Sequence, residues 1–318
     1  MVRRADIVAA TLALTLGGCF GKRTSVSLPE ARAADDNAQG AFEYARGGLS
    51  AAERWFASGL EHSQSIDDAG GQATALLNLS RVDAQRWNFD RAARRTDEAL
   101  RLAGDDPRLR GAALARRAQL RSQRGEHDGA IQDARDASGL VDAMDLARRD
   151  ARRVEGDRAT TLAYTLVRAG ACTEAQGVLG SVADVYGRSL DTAAEAAIAS
   201  LRGQLALGQG DAADAQSWLG RALALDRERG RPLDVAADLE ALATAAELGG
   251  DRDGAASWLQ RALAVRETVD TPQQALAAGQ RLATLLGSDA QLEGRLALLR
   301  TEVGDTPAQP PEPATPCR

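Results

Sequence analysis

The run Ser217-Trp218-Leu219-Gly220-Arg221-Ala222-Leu223-Ala224 returns 40 residues later as Ser257-Trp258-Leu259-Gln260-Arg261-Ala262-Leu263-Ala264, identical at seven of eight positions. Each copy follows a Gly-Asp pair, Gly210-Asp211 and Gly250-Asp251. The register extends upstream through small residues at Ala52, Ala92, Ala130, Ala175, Ala215 and Ala255, at intervals of 40, 38, 45, 40 and 40. A fixed period of this size constrains the fold more than any local propensity. One such unit cannot bury its apolar face alone, so successive units must stack and share a continuous core.

The units read as helix pairs. Leu76-Leu79, Leu162-Leu166 and Leu239-Leu242 recur at helical spacing. Hydrophobic residues make up 44% of the chain and aromatics only 3%, so the apolar mass is mostly Ala and Leu, both strong helix formers. Gly47, Gly125, Gly170, Gly210 and Gly250 fall where one helix must turn into the next, just ahead of the small residues. Four positions after the small residue come Phe56, Leu179, Leu219 and Leu259, with Thr96 and Ala134 as weak occupants in two units. Ala99, Ala137, Ala222 and Ala262 follow three residues on. Pro107, Pro232 and Pro272 lie between units, where proline starts a helix without breaking one. The long interval, Val141 to Arg158, is expected to extend one helix rather than form a loop.

Turn glycine, small second-helix residue and apolar wedge together resemble the tetratricopeptide repeat over about residues 30–285. The period near 40 departs from the standard 34 of that family and predicts helices about one turn longer. The resemblance implies an all-α fold: a right-handed solenoid of antiparallel helix pairs over residues 29–303, with about six repeats plus C-terminal capping helices at Gln273–Leu286 and Asp289 to about Val303. Residues 304–318 hold five prolines and no apolar period, and are expected to form a disordered, partly extended tail.

In this family the concave surface, lined by the first helices, commonly binds a protein or peptide partner. The family's inward positions correspond here to Asn78, Arg81, Gln85, Arg116, Gln119, Tyr164, Arg168, Gln204 and Glu240. One variant of the family grips a peptide carboxylate with five basic or amide side chains. Asn78 and Arg116 match that pattern, whereas Asn37, Ala41 and Ala112 do not match the other three, so that clamp is not expected. The bland reading of every inward residue is a solvated helix face.

The amino terminus carries a second resemblance. Arg3 and Arg4 precede an apolar run from Ile7 to Leu16, which is too short to span a membrane that needs about 20 residues. The run ends in Leu16-Gly17-Gly18-Cys19, similar to the lipobox of bacterial lipoproteins, although Asp6 is atypical of a leader. The resemblance implies removal of residues 1–18, lipidation of Cys19 and a tether through residue 28. Two or three acyl chains together anchor firmly where one does not. Phe20, in place of the Asp that favours inner-membrane retention, points to the outer membrane facing the periplasm.

Catalytic signals are sparse. The only histidines are His62 and His127; no P-loop, dinucleotide fingerprint or metal spacing occurs, and no cofactor is expected. A net charge of -6 without a basic stripe argues against nucleic acid. Cys172 and Cys317 permit either a disulfide in an oxidising compartment or two separately used thiols. The favoured function is a non-enzymatic, membrane-anchored scaffold, with outer-membrane, pilus or secretin, or cell-wall assembly as settings known for lipoproteins of this type. An envelope enzyme on a solenoid would require facing carboxylates in the groove. A self-associating structural lipoprotein is suggested by Trp218 and Trp258 on neighbouring repeats.

Overall fold

A computed structural model describes residues 27–287, 290–304 and 310–317. The leader, Cys19 and most of the tether lie outside the described residues, as do 305–309. The described chain is all-α, with fourteen α-helices: α1 (Leu28–Ala45), α2 (Leu49–Ser65), α3 (Ala69–Gln85), α4 (Phe89–Ala103), α5 (Pro107–Gln123), α6 (His127–Gly139), α7 (Arg148–Arg168), α8 (Cys172–Tyr186), α9 (Thr192–Gln209), α10 (Ala212–Glu228), α11 (Pro232–Leu248), α12 (Arg252–Arg266), α13 (Pro272–Leu286) and α14 (Ala290–Val303). Consecutive helices pair, and first helices of successive repeats also touch one another. That puts the odd-numbered helices on the inner side of a solenoid.

The starts and stops follow local chemistry. Ser27 caps α1 in a capping box with Glu30, and Pro107, Pro232 and Pro272 open α5, α11 and α13. Gly47, Gly125, Gly170, Gly210 and Gly250 all adopt positive φ, 70° to 81°, at the turn within a repeat. The second repeat has no glycine there, and Trp87 takes the left-handed conformation instead, at φ 56°.

Packing bears out the small-and-wedge register. Ala52, Ala92, Ala130, Ala175, Ala215 and Ala255 are fully buried, as are the wedges Leu219 and Leu259. Leu219 seats over Gly203 of α9, where an added Cβ would lie 2.5 Å from its side chain. In the two repeats with weak wedges, polar bonds complete the packing. Thr96 shares a 2.8 Å hydrogen bond with Ser80. Asp83 accepts from Arg91 and Arg95, and Asp133 from Arg117 and Arg121, at 2.6–2.8 Å. Trp258 packs into the apolar clusters and Trp218 lies beneath Arg202, so neither forms an exposed pair.

Two expectations need correction. The interval 141–158 is only partly helix: a 3-10 turn (Val141–Ala143) and a loop precede α7, because Met144 turns inward against Gly111. Residues 310–317 of the tail are docked rather than disordered. Their backbone N–H groups donate to the last carbonyls of three inner helices: Glu312 to Gln123, Thr315 to Arg168 and Cys317 to Gly208, at 2.8–3.1 Å. Helix-terminal carbonyls lack intrahelical partners, so an extended strand can satisfy them one after another. Cys317 then reaches Cys172 at the start of α8 and forms a disulfide.

The array also closes on itself. The turn after α1 meets the far end of the array. Gly47 contacts Val269 and Pro232, and Asp270 N–H donates to the Gly47 carbonyl at 3.4 Å. Arg86 bridges Glu53 and Asp270, and Leu233 joins the cluster of Leu49, Phe56 and Leu79. The first and sixth repeats therefore touch.

Candidate functional site

Closure converts the concave surface into an inner cavity. One hollow of about 480 Å3 is lined by Tyr44, Arg81, Gln85, Arg116, Gln119, Gln123, Tyr164, Ser200, Gln204, Asp226, Asp234 and Asp238, among others. A second, of about 960 Å3, shares Arg81, Arg116, Gln119 and Thr161 with it and adds Asn78, Asp157 and Arg158. Both volumes fall in the range of small-ligand pockets, roughly 300–1,000 Å3, which suits a short chain segment better than a folded domain.

Seven of the nine inward residues expected from sequence reach this wall: Asn78, Arg81, Gln85, Arg116, Gln119, Tyr164 and Gln204. The other two are engaged elsewhere. Arg168 donates to the Ser122 carbonyl and to the tail carbonyl of Glu312. Glu240 accepts from the buried guanidinium of Arg266 at 2.8 Å.

The cavity is electrically divided. On the α3–α5 side, Arg116 donates to the Ser80 hydroxyl at 3.1 Å, the Ser80 carbonyl at 2.9 Å and Gln119 at 3.2 Å, all neutral acceptors. Desolvation without a carboxylate partner pulls its pKa down to about 10. Arg81 lies over the Tyr44 ring, 5.0 Å from its centroid. Burial raises the pKa of the Tyr164 phenol, against the pull of Arg168 and Arg116.

The α10–α11 side is acidic. Asp226 is paired with Arg229 at 2.5 Å and Asp234 with Arg231 at 3.0 Å. Asp238 has no cationic partner among the described residues. It is 2% exposed, accepts only from Ser200 at 3.2 Å, and its Oδ2 has no hydrogen-bond partner. Burial pushes the Asp226 carboxyl up to about 6, and burial together with the charge on Asp226 pushes Asp238 up to about 8. Asp226, Asp234 and Asp238 were not anticipated from sequence. One signal was available. Asp234 and Asp238 stand four apart on one helix, a like-charge spacing that an isolated helix disfavours.

The histidines lie away from the cavity lining. His62 pairs with Asp36 at 2.9 Å between α1 and α2, and His127 contacts Thr315 of the tail at 3.3 Å. Among the described residues, no group of three His, Cys, Asp or Glu side chains is placed to hold a metal ion. Nor is any described helix long and apolar enough to cross a membrane.

No protein-family profile matches the chain, and no curated protein matches it in sequence. Solved structures do resemble it. A Rap protein complexed with Competence and Sporulation Factor superposes with TM-score 0.62 at 14% identity, over 86% of this chain and 75% of that one. A putative kinesin light chain from Podosopora anserina with TPR-like repeats gives TM-score 0.47 at 17% identity, over 64% of this chain and 100% of that one. PilF of Pseudomonas aeruginosa gives 0.42 at 17% identity, over 86% and 99%. At 14% identity the likeness to the Rap protein extends to the fold alone, an all-α array of paired helices.

Proposed function

We propose that this chain is a segment-binding scaffold: the hollow inside its ring of repeats holds an extended stretch of a protein partner, and it works as an adaptor rather than an enzyme. The observation that carries this reading is the cavity wall itself. Side chains from six inner helices converge there, and Arg81 and Arg116 bond to no carboxylate among the described residues. Arg116 is half-buried and held by neutral acceptors alone, and Arg81 is exposed, so both can serve a ligand that brings its own acceptors. A Rap protein of this fold has been captured with Competence and Sporulation Factor, in keeping with a ligand-holding use of the architecture.

The scaffold is further proposed to sit in the cell envelope, lipid-anchored through Cys19 to the outer membrane and facing the periplasm, where outer-membrane, pilus or secretin, and cell-wall assembly supply candidate partners. The disulfide between Cys172 and Cys317 suits an oxidising compartment. Two measurements test the pair of ideas. Affinity capture with the intact chain should enrich a partner that Arg81→Glu with Arg116→Glu fails to retain; equal recovery refutes the cavity reading. Cys19→Ala should move the protein from the membrane fraction to the soluble one; unchanged membrane association refutes the anchor.

One observation favours a second reading. Asp226 and Asp238 share the cavity with carboxyls pushed up to about 6 and about 8, a separation that acid–base enzymes use. Against it stands the ion pair of Asp226 with Arg229, which commits the more acidic of the two carboxyls to a cation. Glycan-hydrolase activity abolished by Asp226→Asn would establish the enzyme; inactivity of the native chain on cell-wall glycan removes it.

A further inference from the structure

We propose that the α10–α11 wall of the inner cavity is a subsite for one cationic nitrogen group of the bound segment, an arginine or lysine side chain or a free amino terminus, with Asp238 as its counterion. The proposal rests on the reading of the cavity as a segment-binding site and adds the chemistry that the segment must carry.

Cationic partners on that wall run one short of the carboxyls. Three carboxyls, Asp226, Asp234 and Asp238, face two guanidinium groups, Arg229 and Arg231, and each guanidinium is used by one carboxyl. One carboxyl is left over. It is the most buried of the three, and it holds one oxygen against Ser200 and the other against nothing. A packed interior rarely leaves a buried carboxyl oxygen unpaired, because the desolvated oxygen regains nothing for the water it lost. The chain pairs the buried carboxylates of Asp83 and Asp133 with two arginines apiece, so the unpaired one stands out within the same molecule. Its place beside a hollow of about 480 Å3 gives a donor somewhere to enter from. A metal ion is a poor fit, since no three such side chains of the described residues converge. A cationic nitrogen supplies both the charge and the directional N–H that the free oxygen lacks.

The geometry also predicts how binding responds to pH. Without ligand, Asp238 keeps its proton until about pH 8, with Asp226 and Asp234 opposing its ionisation and Arg229 and Arg231 committed to those two neighbours. Pairing with a cation requires the ionised form, so affinity should rise as pH rises from about 6 to about 8.

The test uses the full chain in detergent and pools of acetylated, amidated pentapeptides whose central residue is Arg, Lys, Gln or Glu, with a non-acetylated Gln pool to represent a free amino terminus. Retention is read by affinity selection and mass spectrometry. The Arg or Lys pool, or the free-amine pool, should be retained about tenfold over the blocked Gln pool. That preference should shrink to within about twofold in Asp238→Asn, and in the unaltered protein it should weaken by about tenfold on lowering the pH from 8 to 6. The pH arm requires no variant to fold. Equal retention of the Arg, Lys, free-amine and Gln pools, or preference for Glu, overturns the cationic subsite while leaving a segment-binding cavity intact. Retention of no pool at all overturns both.

Discussion

Replacing Asp238 by Asn should make the protein more stable at neutral pH, and by an amount that depends on pH in one direction. In the unfolded chain this carboxyl titrates near 3.8, and in the fold burial and the neighbouring Asp226 move it to about 8. Below pH 4 it is neutral in both states and contributes no difference. Between 4 and 8 the unfolded chain releases the proton while the native state keeps it, so the native state binds more protons and stability falls as pH rises. Above 8 both states are ionised and the loss levels off. At pH 7 the interval already crossed is about three pH units, which at about 1.4 kcal/mol per unit gives a ceiling of about 4 kcal/mol. Relaxation around the ionised group brings the expected gain for Asp238→Asn to about 2–4 kcal/mol at pH 7 and near zero at pH 4. Asn keeps an acceptor for the Ser200 hydroxyl, so the change removes charge without emptying the site. Urea denaturation followed by circular dichroism across pH 4 to 8.5 checks this, with the exposed Asp105→Asn as control. A variant whose advantage is flat over that range, or which is destabilised throughout, would refute the reasoning.

Two further outcomes follow from packing and connectivity. Gly203→Ala places a Cβ 2.5 Å from the Leu219 side chain and should cost about 1–3 kcal/mol, whereas Gly220→Ala, with nothing within 4 Å, should gain up to about 1 kcal/mol; thermal melts that rank the two the other way contradict the wedge geometry. Cys172→Ser opens a link spanning 145 residues, for which the chain-entropy ceiling is about 5 kcal/mol and a loss of about 2–4 kcal/mol is expected. The same variant should expose the tail to limited proteolysis, and unchanged cleavage would mean that the three backbone hydrogen bonds alone hold it.

The repeat was legible because its signals are local. A turn glycine, a small residue five or so positions later and an apolar wedge after that each act within one helix pair, so the sequence displays them at their own spacing. Most of the inner wall was legible for the same reason: Arg81, Gln85, Arg116 and Gln119 face inward by helical periodicity alone. Closure was not, since it joins Arg86 to Asp270 across 184 residues of chain, and neither side chain carries a mark of the meeting. The superhelical curvature that brings them together accumulates from small rotations at every repeat. The tail misled for a related reason. Proline prevents a segment from making its own ladder, yet leaves it free to be held by carbonyls that three helix ends leave open. The acidic wall escaped for two reasons: Asp226 sits near the end of an outer helix yet lines the cavity beside Arg229, and Asp234 and Asp238, though on the inner helix α11, read in sequence like ordinary solvated carboxylates.

The buried charges of this chain divide by what surrounds them. Asp83 and Asp133 sit between helices of one repeat, and each is clamped by two arginines; they replace an apolar wedge and belong to the packing. Arg116 and Asp238 sit on the shared inner wall, one held only by neutral acceptors and the other with an oxygen unmet. A residue of the first kind loses stability and any bound partner together when it is neutralised, since breaking a buried pair strands its partner charge. A residue of the second kind should behave oppositely: Asp238→Asn gains stability while losing the cationic preference of the cavity. That opposition is the sharper discriminator. A purely structural carboxyl cannot produce it, because its removal has no binding to diminish, and an ordinary solvated aspartate cannot produce it, because its removal has no strain to relieve.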